Sequence, residues 1–209
     1  GRLGRALKEV FPAALTPSHE EMDILESDSI HNYLKSHSVD ILIHAAALTS
    51  AKGCQQNHRK AWTVNVEGSY NVLSSFKSVN PQGRMLYLST PAVFDCNSGG
   101  YSEFDTPDPV NYYGFTKLCG EQAVRGFSGV TIVRTNFVER GRWPYEEAFV
   151  DRFGTYLYAD EVAVGIKEII IANPGKEIVH ICGNRKFSMY ELATMIDSRV
   201  GMKTLEGCE

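Results

Sequence analysis

The stretch "VDILIHAA", residues 39–46, is a short and nearly continuous apolar run that ends on alanines. A strand buried on both faces reads this way, because helices packed against each face leave no polar side. "GRMLYLST" (83–90), "GVTIVRTNFV" (129–138) and "EIVHICG" (177–183) read alike. Between them lie segments of helical period at about 26–37, 55–79, 111–127, 160–173 and 188–200. Strand, helix, strand, helix at this spacing gives βαβ units. Right-handed crossovers then make a parallel sheet covered by helices on both faces.

The 209 residues are enough for one sizeable core and a small lobe. A formal net charge of −4 supplies no basic field, so nucleic acid is a poor partner. No apolar run reaches the roughly 20 residues of a membrane helix. Cys54, Cys96, Cys119, Cys182 and Cys208 form neither a disulfide framework nor zinc spacing, which suits a reducing cytoplasm and no metal.

Ligands of such sheets sit at the carboxyl ends of the strands, so the residues there are the candidates. "GRLGRAL" opens the chain with Gly1 and Gly4 three apart, and Arg5–Glu9 begins a helix. It matches the second half of a glycine-rich phosphate loop, whose backbone N–H groups and helix N-terminus approach a pyrophosphate. Read so, a first strand and first glycine are expected to lie outside the chain as given, and "PAALTP" (12–17) is the expected second strand. Thr16-Pro17-Ser18-His19 has no acid for a ribose 2′-hydroxyl, while Arg2 and Arg5 are available to a 2′-phosphate. That favours NADP and leaves NAD open. Asp23, where a third strand would end, either accepts from an adenine amino group or caps the next helix. Ala45, Ala46 and Ala47 either leave room for a flat ligand or serve helix–sheet packing. Asn65, inside an apolar helical pattern, must find partners, by holding a water or carbonyl near the site or by pinning two elements. Ser89 and Thr90 end a strand, as ligand-facing hydroxyls or as a turn device.

"NYYGFTKLCGE" (111–121) then puts Tyr113 four residues before Lys117, on one face of a helix that Asn111 can cap. An ammonium beside the phenol would lower its pKa from about 10 and make it a usable proton donor and acceptor. The same lysine can hold ribose hydroxyls. Either this is a reactive pair or one turn of an ordinary helix.

These stretches, with "MDI", "VNVEGSYNVL", "LSTPAVFD", "IVRTNFV", "YADEVA" and "GNRKFSMYELA", resemble the extended short-chain dehydrogenase/reductase family of sugar-nucleotide enzymes. Within it they are most similar to dTDP-4-dehydrorhamnose reductase and its sugar-nucleotide-binding relatives. The resemblance implies an α/β, Rossmann-type doubly wound sheet: a dinucleotide-binding core over 1–136 and a reduced substrate-binding region over 137–209. It implies Thr90, Tyr113 and Lys117 as catalytic residues. Gly1, Arg2, Leu3, Gly4, Asp23, Ile24, Ala45, Ala46, Ala47, Asn65, Ser89, Tyr113 and Lys117 then hold NADP or NAD. Substrate contacts fall to Thr90, Asn136, Arg140, Arg142 and Trp143, the last three by charge and stacking or merely as a solvated loop. The implied reaction moves a hydride to a keto carbon of a nucleotide-linked deoxysugar; an epimerase or a non-catalytic nucleotide-binding subunit are the alternatives. A cytoplasmic location and a homodimer are compatible with it. Pro91 replaces the acid that usually follows Ser-Thr, and the absence of Thr-Asp-Glu disfavours water elimination.

Overall fold

The computed structural model describes residues 1–141, 143–175 and 177–206. The first element, α1 (Arg2–Val10), is followed by an irregular stretch and α2 (Ser27–Ser36). Then come β1 (Ile41–His44), α3 (Ala51–Gln56) and α4 (His58–Trp62), which runs through a π turn (Thr63–Glu67) into α5 (Gly68–Val79). β2 (Arg84–Ser89), α6 (Tyr112–Val124) and β3 (Val130–Thr135) complete the central repeat. Further on lie β4 (Phe137–Val138), β5 (Glu147–Phe149), β6 (Phe153–Gly154), β7 (Leu157–Tyr158) and α7 (Ala159–Ala172). The last elements are β8 (Ile178–Ile181), β9 (Phe187–Ser188), α8 (Met189–Ile196) and β10 (Gly201–Lys203).

The main sheet has strand order β1-β2-β3-β8, and β1, β2 and β3 pair in parallel. This is the expected Rossmann-type α/β arrangement. Its strands fall inside the four apolar runs because those side chains are buried to both sides. Met85, Tyr87 and Ile132 enter a core with Ile30 and Leu34 of α2, Val72, Leu73 and Phe76 of α5, and Val124 of α6. Leu86, Leu88 and Val133, of opposite parity along the strands, are buried too. Lys77 braces the far end of this unit, donating to the carbonyls of Gly83 and Ser128.

The chain divides into two compact units, and the division is not the contiguous one expected. Ala13–Thr135 and Asn173–His180 form the sheet unit; Gly1–Pro12, Asn136–Ala172 and Ile181–Glu209 form the other. α1 belongs to the second because its apolar face, Leu3, Ala6 and Leu7, is buried and it packs with α7. In that unit short ladders join β4 to β7 and β5 to β10 in parallel, and β6 to β9 antiparallel. α8 starts on a capping box between Ser188 and Glu191.

The expected strand over 12–17 does not form. Pro12 and Pro17 bring no N–H to a ladder, Leu15 is half exposed, and the stretch is irregular.

Candidate active site

The site is built where α6 meets the end of β2. Asn111 caps the helix, its side-chain oxygen accepting from Gly114 N at 2.9 Å. A side chain at 114 could not be accommodated: a Cβ there would stand 2.0 Å from the Ala92 carbonyl oxygen. The missing side chain lets the first turn of α6 lie against the short 3₁₀ turn Pro91–Val93. Thr90 caps that turn, accepting from Ala92 N at 3.2 Å. It also lies close enough to the Tyr113 phenol to act on its ionisation. Thr90 and Tyr113 are therefore brought together.

Tyr113 is half-buried, and burial pushes its phenol up from the ordinary value, with the Thr90 hydroxyl opposing. The expected lowering by a neighbouring ammonium is not found. The reason is where Lys117 goes. It is only 2% exposed, and its Nζ donates to Tyr87 Oη at 2.7 Å. Burial lowers the amine to about 7, against the opposing field of Glu121. The cation of this site is thus taken up by a second phenol, that of a core residue, and is itself partly neutral at neutral pH.

Asn65 lies in the π turn, fully buried. Its Nδ2 donates to the Leu48 carbonyl and to Thr116 Oγ1, both at 3.0 Å, and its Oδ1 accepts from Leu48 N at 2.8 Å. It pins the loop after β1 to α6, the second of the two roles expected for it. That loop carries Ala45 and Ala46 exposed and Ala47 half-buried. A π turn inserts one residue into the helix and is frequent at functional sites; here it aims the asparagine inward.

Ser89 turns the other way from its neighbour. It is buried and donates to Glu121 Oε1 at 2.5 Å. Glu121 in turn accepts two bonds from Arg134, Nε to Oε1 at 3.0 Å and Nη2 to Oε2 at 2.7 Å. The picture of two hydroxyls pointing together at a ligand is corrected: Thr90 meets Tyr113, while Ser89 serves an internal ion pair, as alternation along a strand requires. Asp23 makes an Asx turn, Oδ1 accepting from Leu25 N at 2.9 Å, and α2 starts after Glu26, whose side chain makes no capping bond. Ile24 packs against the core and Gly68.

In the other unit, Gly1 is the N-cap of α1 and brings no capping side chain. Leu3 is buried, and Arg2 and Arg5 both pair with Glu139, at 3.4 and 2.8 Å. Asn136 accepts a backbone bond from Leu157 N. Arg140 is engaged by Asp160 at 2.9 Å and Glu161 at 3.4 Å, and lies over the Tyr158 ring. Trp143 packs on Ala148, Ala193 and Val200, and its buried Nε1 has no partner among the described residues. Arg142 lies outside the described residues.

Tyr87, Gly114, Gly120, Glu121 and Arg134 were not expected at the site. Two left a signal. Arg134 is a charge inside an apolar strand, and Glu121 follows Lys117 by one helical turn; buried charges must be paired. No helix among the described residues is long and apolar enough to cross a membrane.

A parallel α/β sheet with this Thr–Tyr–Lys cluster at its strand ends defines a Rossmann-type protein. The chain belongs to the family of the RmlD substrate binding domain, which its residues 1–153 match. Among curated relatives, the spore coat polysaccharide biosynthesis protein SpsK of Bacillus subtilis is 27% identical, over 98% of this chain and 78% of its own length. The methionine adenosyltransferase 2 subunit beta of Bos taurus is 31% identical, over 94% and 68%. The dTDP-4-dehydrorhamnose reductase of Aggregatibacter actinomycetemcomitans is 26% identical, over 99% and 79%. Of solved structures, the dTDP-4-dehydrorhamnose reductase of Bacillus anthracis in complex with NADP superposes with a TM-score of 0.86, at 24% identity, over 99% and 82% of the two chains. That likeness shows the fold.

Proposed function

We propose that the protein is an NADPH- or NADH-dependent reductase of a keto group on a nucleotide-linked deoxysugar, as the relative from Aggregatibacter is by name. The observation that carries it is the placing of the Thr90 hydroxyl beside a Tyr113 phenol that burial holds protonated. A neutral phenol is a proton donor, which is what reduction of a ketone requires.

The residues present fit a dinucleotide. In its own unit, α1 opens at Gly1 with no side-chain cap, the kind of helix N-terminus that suits a pyrophosphate. Ala45 and Ala46 offer only methyl groups on an exposed loop. When bound, the nicotinamide supplies the hydride to the keto carbon. Tyr113 gives its proton to the carbonyl oxygen as the alcohol forms. Thr90 steadies that oxygen by hydrogen bonding. Lys117, with an amine near 7, is suited to returning a proton to the phenol and to holding ribose hydroxyls. Among the expected substrate contacts, Trp143 keeps an unpartnered indole N–H, whereas Arg140 is already neutralised.

An epimerase fits less well, because its cycle begins by oxidising an alcohol and needs a phenolate, which burial of Tyr113 disfavours. A non-catalytic subunit is the second reading, favoured by the 31% identity to a methionine adenosyltransferase subunit. The test mixes the protein with NADPH or NADH and a panel of 4-keto sugar nucleotides and follows the absorbance of the reduced cofactor. Consumption that disappears in Tyr113→Phe supports the reductase. Cofactor binding without turnover, indifferent to Tyr113→Phe, sinks it in favour of the subunit.

A further inference from the structure

We infer that Tyr87 is a positioning residue for this reaction: its phenol oxygen, admitted to the face of α6 by the missing side chain of Gly120, seats the Lys117 ammonium one helical turn from Tyr113. The inference rests on the reading of Thr90, Tyr113 and Lys117 given above.

Tyr87 is fully buried in the middle of β2, among Met85, Phe76 and Ile132. Packing alone would be served by phenylalanine, and a buried hydroxyl is costly unless it is hydrogen-bonded. Among the described residues this hydroxyl is the hydrogen-bond partner of Lys117 Nζ, at 2.7 Å. The helix gives way to admit it: a Cβ at Gly120 would stand 2.2 Å from Tyr87 Oη. Behind the phenol lies a polar chain. Ser69 Oγ donates to the Asn65 carbonyl at 2.7 Å, and His44 Nε2 lies 3.1 Å from the serine oxygen. With its own proton committed to Asn65, the serine oxygen accepts from His44. The Ser69 hydroxyl also acts on the ionisation of Tyr87 from this side, while Tyr87 Oη offers a lone pair to Lys117. Burial keeps both flanking groups neutral, raising the Tyr87 phenol and lowering His44 to about 3. Among the described residues the carboxylate whose charge acts on both Tyr87 and Lys117 is Glu121, one turn on, which is bound to Arg134 and Ser89.

The test uses the full chain and the variants Tyr87→Phe, Lys117→Met and their combination. The ¹³Cε resonance of Lys117 is followed through a pH titration in the protein without cofactor, and turnover and NADPH binding are measured beside it. Tyr87→Phe should move the resonance and its titration midpoint, and lower kcat about 10–100-fold with little change in the KM of the keto sugar. In the Lys117→Met background it should change neither turnover nor NADPH binding further. An unmoved Lys117 resonance in Tyr87→Phe, or losses that multiply in the double variant, overturns the proposal. Ser69→Ala keeps the phenol and removes the hydroxyl that acts on it; it is the milder second variant, and a midpoint unmoved there also counts against the seating. Should the native protein reduce no keto sugar, the reductase reading fails, while the resonance still decides whether Tyr87 seats Lys117.

Discussion

Two cations are buried beside α6, and they are held in opposite ways. Arg134 meets a carboxylate: Glu121 takes two of its N–H groups, and Ser89 completes the coordination of one oxygen. Among the described residues Lys117 donates to the phenol of Tyr87 and to no carboxylate. The first arrangement neutralises charge by pairing it, at the cost of being rigid. In the second the field of Glu121 offsets burial only in part, so the amine is depressed to about 7, within reach of a proton transfer. One end of the helix is thus fixed to the sheet, and the other is left able to change its protonation. Chemistry is expected at the second and stability at the first.

The contrast can be broken most decisively at Tyr113. Tyr113→Phe should lower turnover about 100- to 10,000-fold, measured by loss of reduced-cofactor absorbance, with an unchanged urea denaturation midpoint. Next comes Glu121→Leu, which strands the Arg134 guanidinium. It should cost about 3–5 kcal/mol in urea unfolding, and adding Arg134→Met should recover much of the loss. If Glu121→Leu proves neutral for stability, the pair is not the anchor described here. Asn65→Leu leaves the Leu48 amide and carbonyl without their partner and should cost about 1–3 kcal/mol, seen as early hydrogen exchange around Leu48. The last effect is in the pH dependence. The Lys117 amine sits near 7 folded against an ordinary 10.5, so between these values the unfolded chain binds the extra proton. Stability should rise with pH across that window, by at most about 1.4 kcal/mol per unit, and the penalty should be complete below pH 7. Lys117→Met should flatten that slope; a slope that persists assigns it elsewhere.

Much of this was legible in the sequence for physical reasons. The four apolar runs became β1, β2, β3 and β8 because burial on both faces writes itself as uninterrupted hydrophobicity. Asn111 showed its cap, and Tyr113 its place near Thr90. What stayed hidden depends on contacts that no local pattern encodes. Tyr87 looked like one more apolar residue in "RMLYLS", although its hydroxyl proved more consequential than its ring. "PAALTP" had the position of a strand, one helix on from the glycines, but prolines at both ends and an exposed leucine left it outside any ladder. α1 declared itself as a helix, yet only its packing with α7 assigned it to its unit. The pKa expected of Tyr113 failed for the same reason: spacing put Lys117 on the right face, and the third dimension gave its ammonium to another phenol.

The π turn at Thr63–Glu67 has an unusual corollary for anyone who edits this chain. It accommodates one residue more than a regular helix would over the same rise, so deleting any single residue there would let the segment close as plain α-helix. The four side chains left could be conserved in kind, Asn65 among them, and Asn65 would still swing away from Leu48 and Thr116. In this stretch the chain length itself is a functional constraint, as strict as the identity of any residue in it.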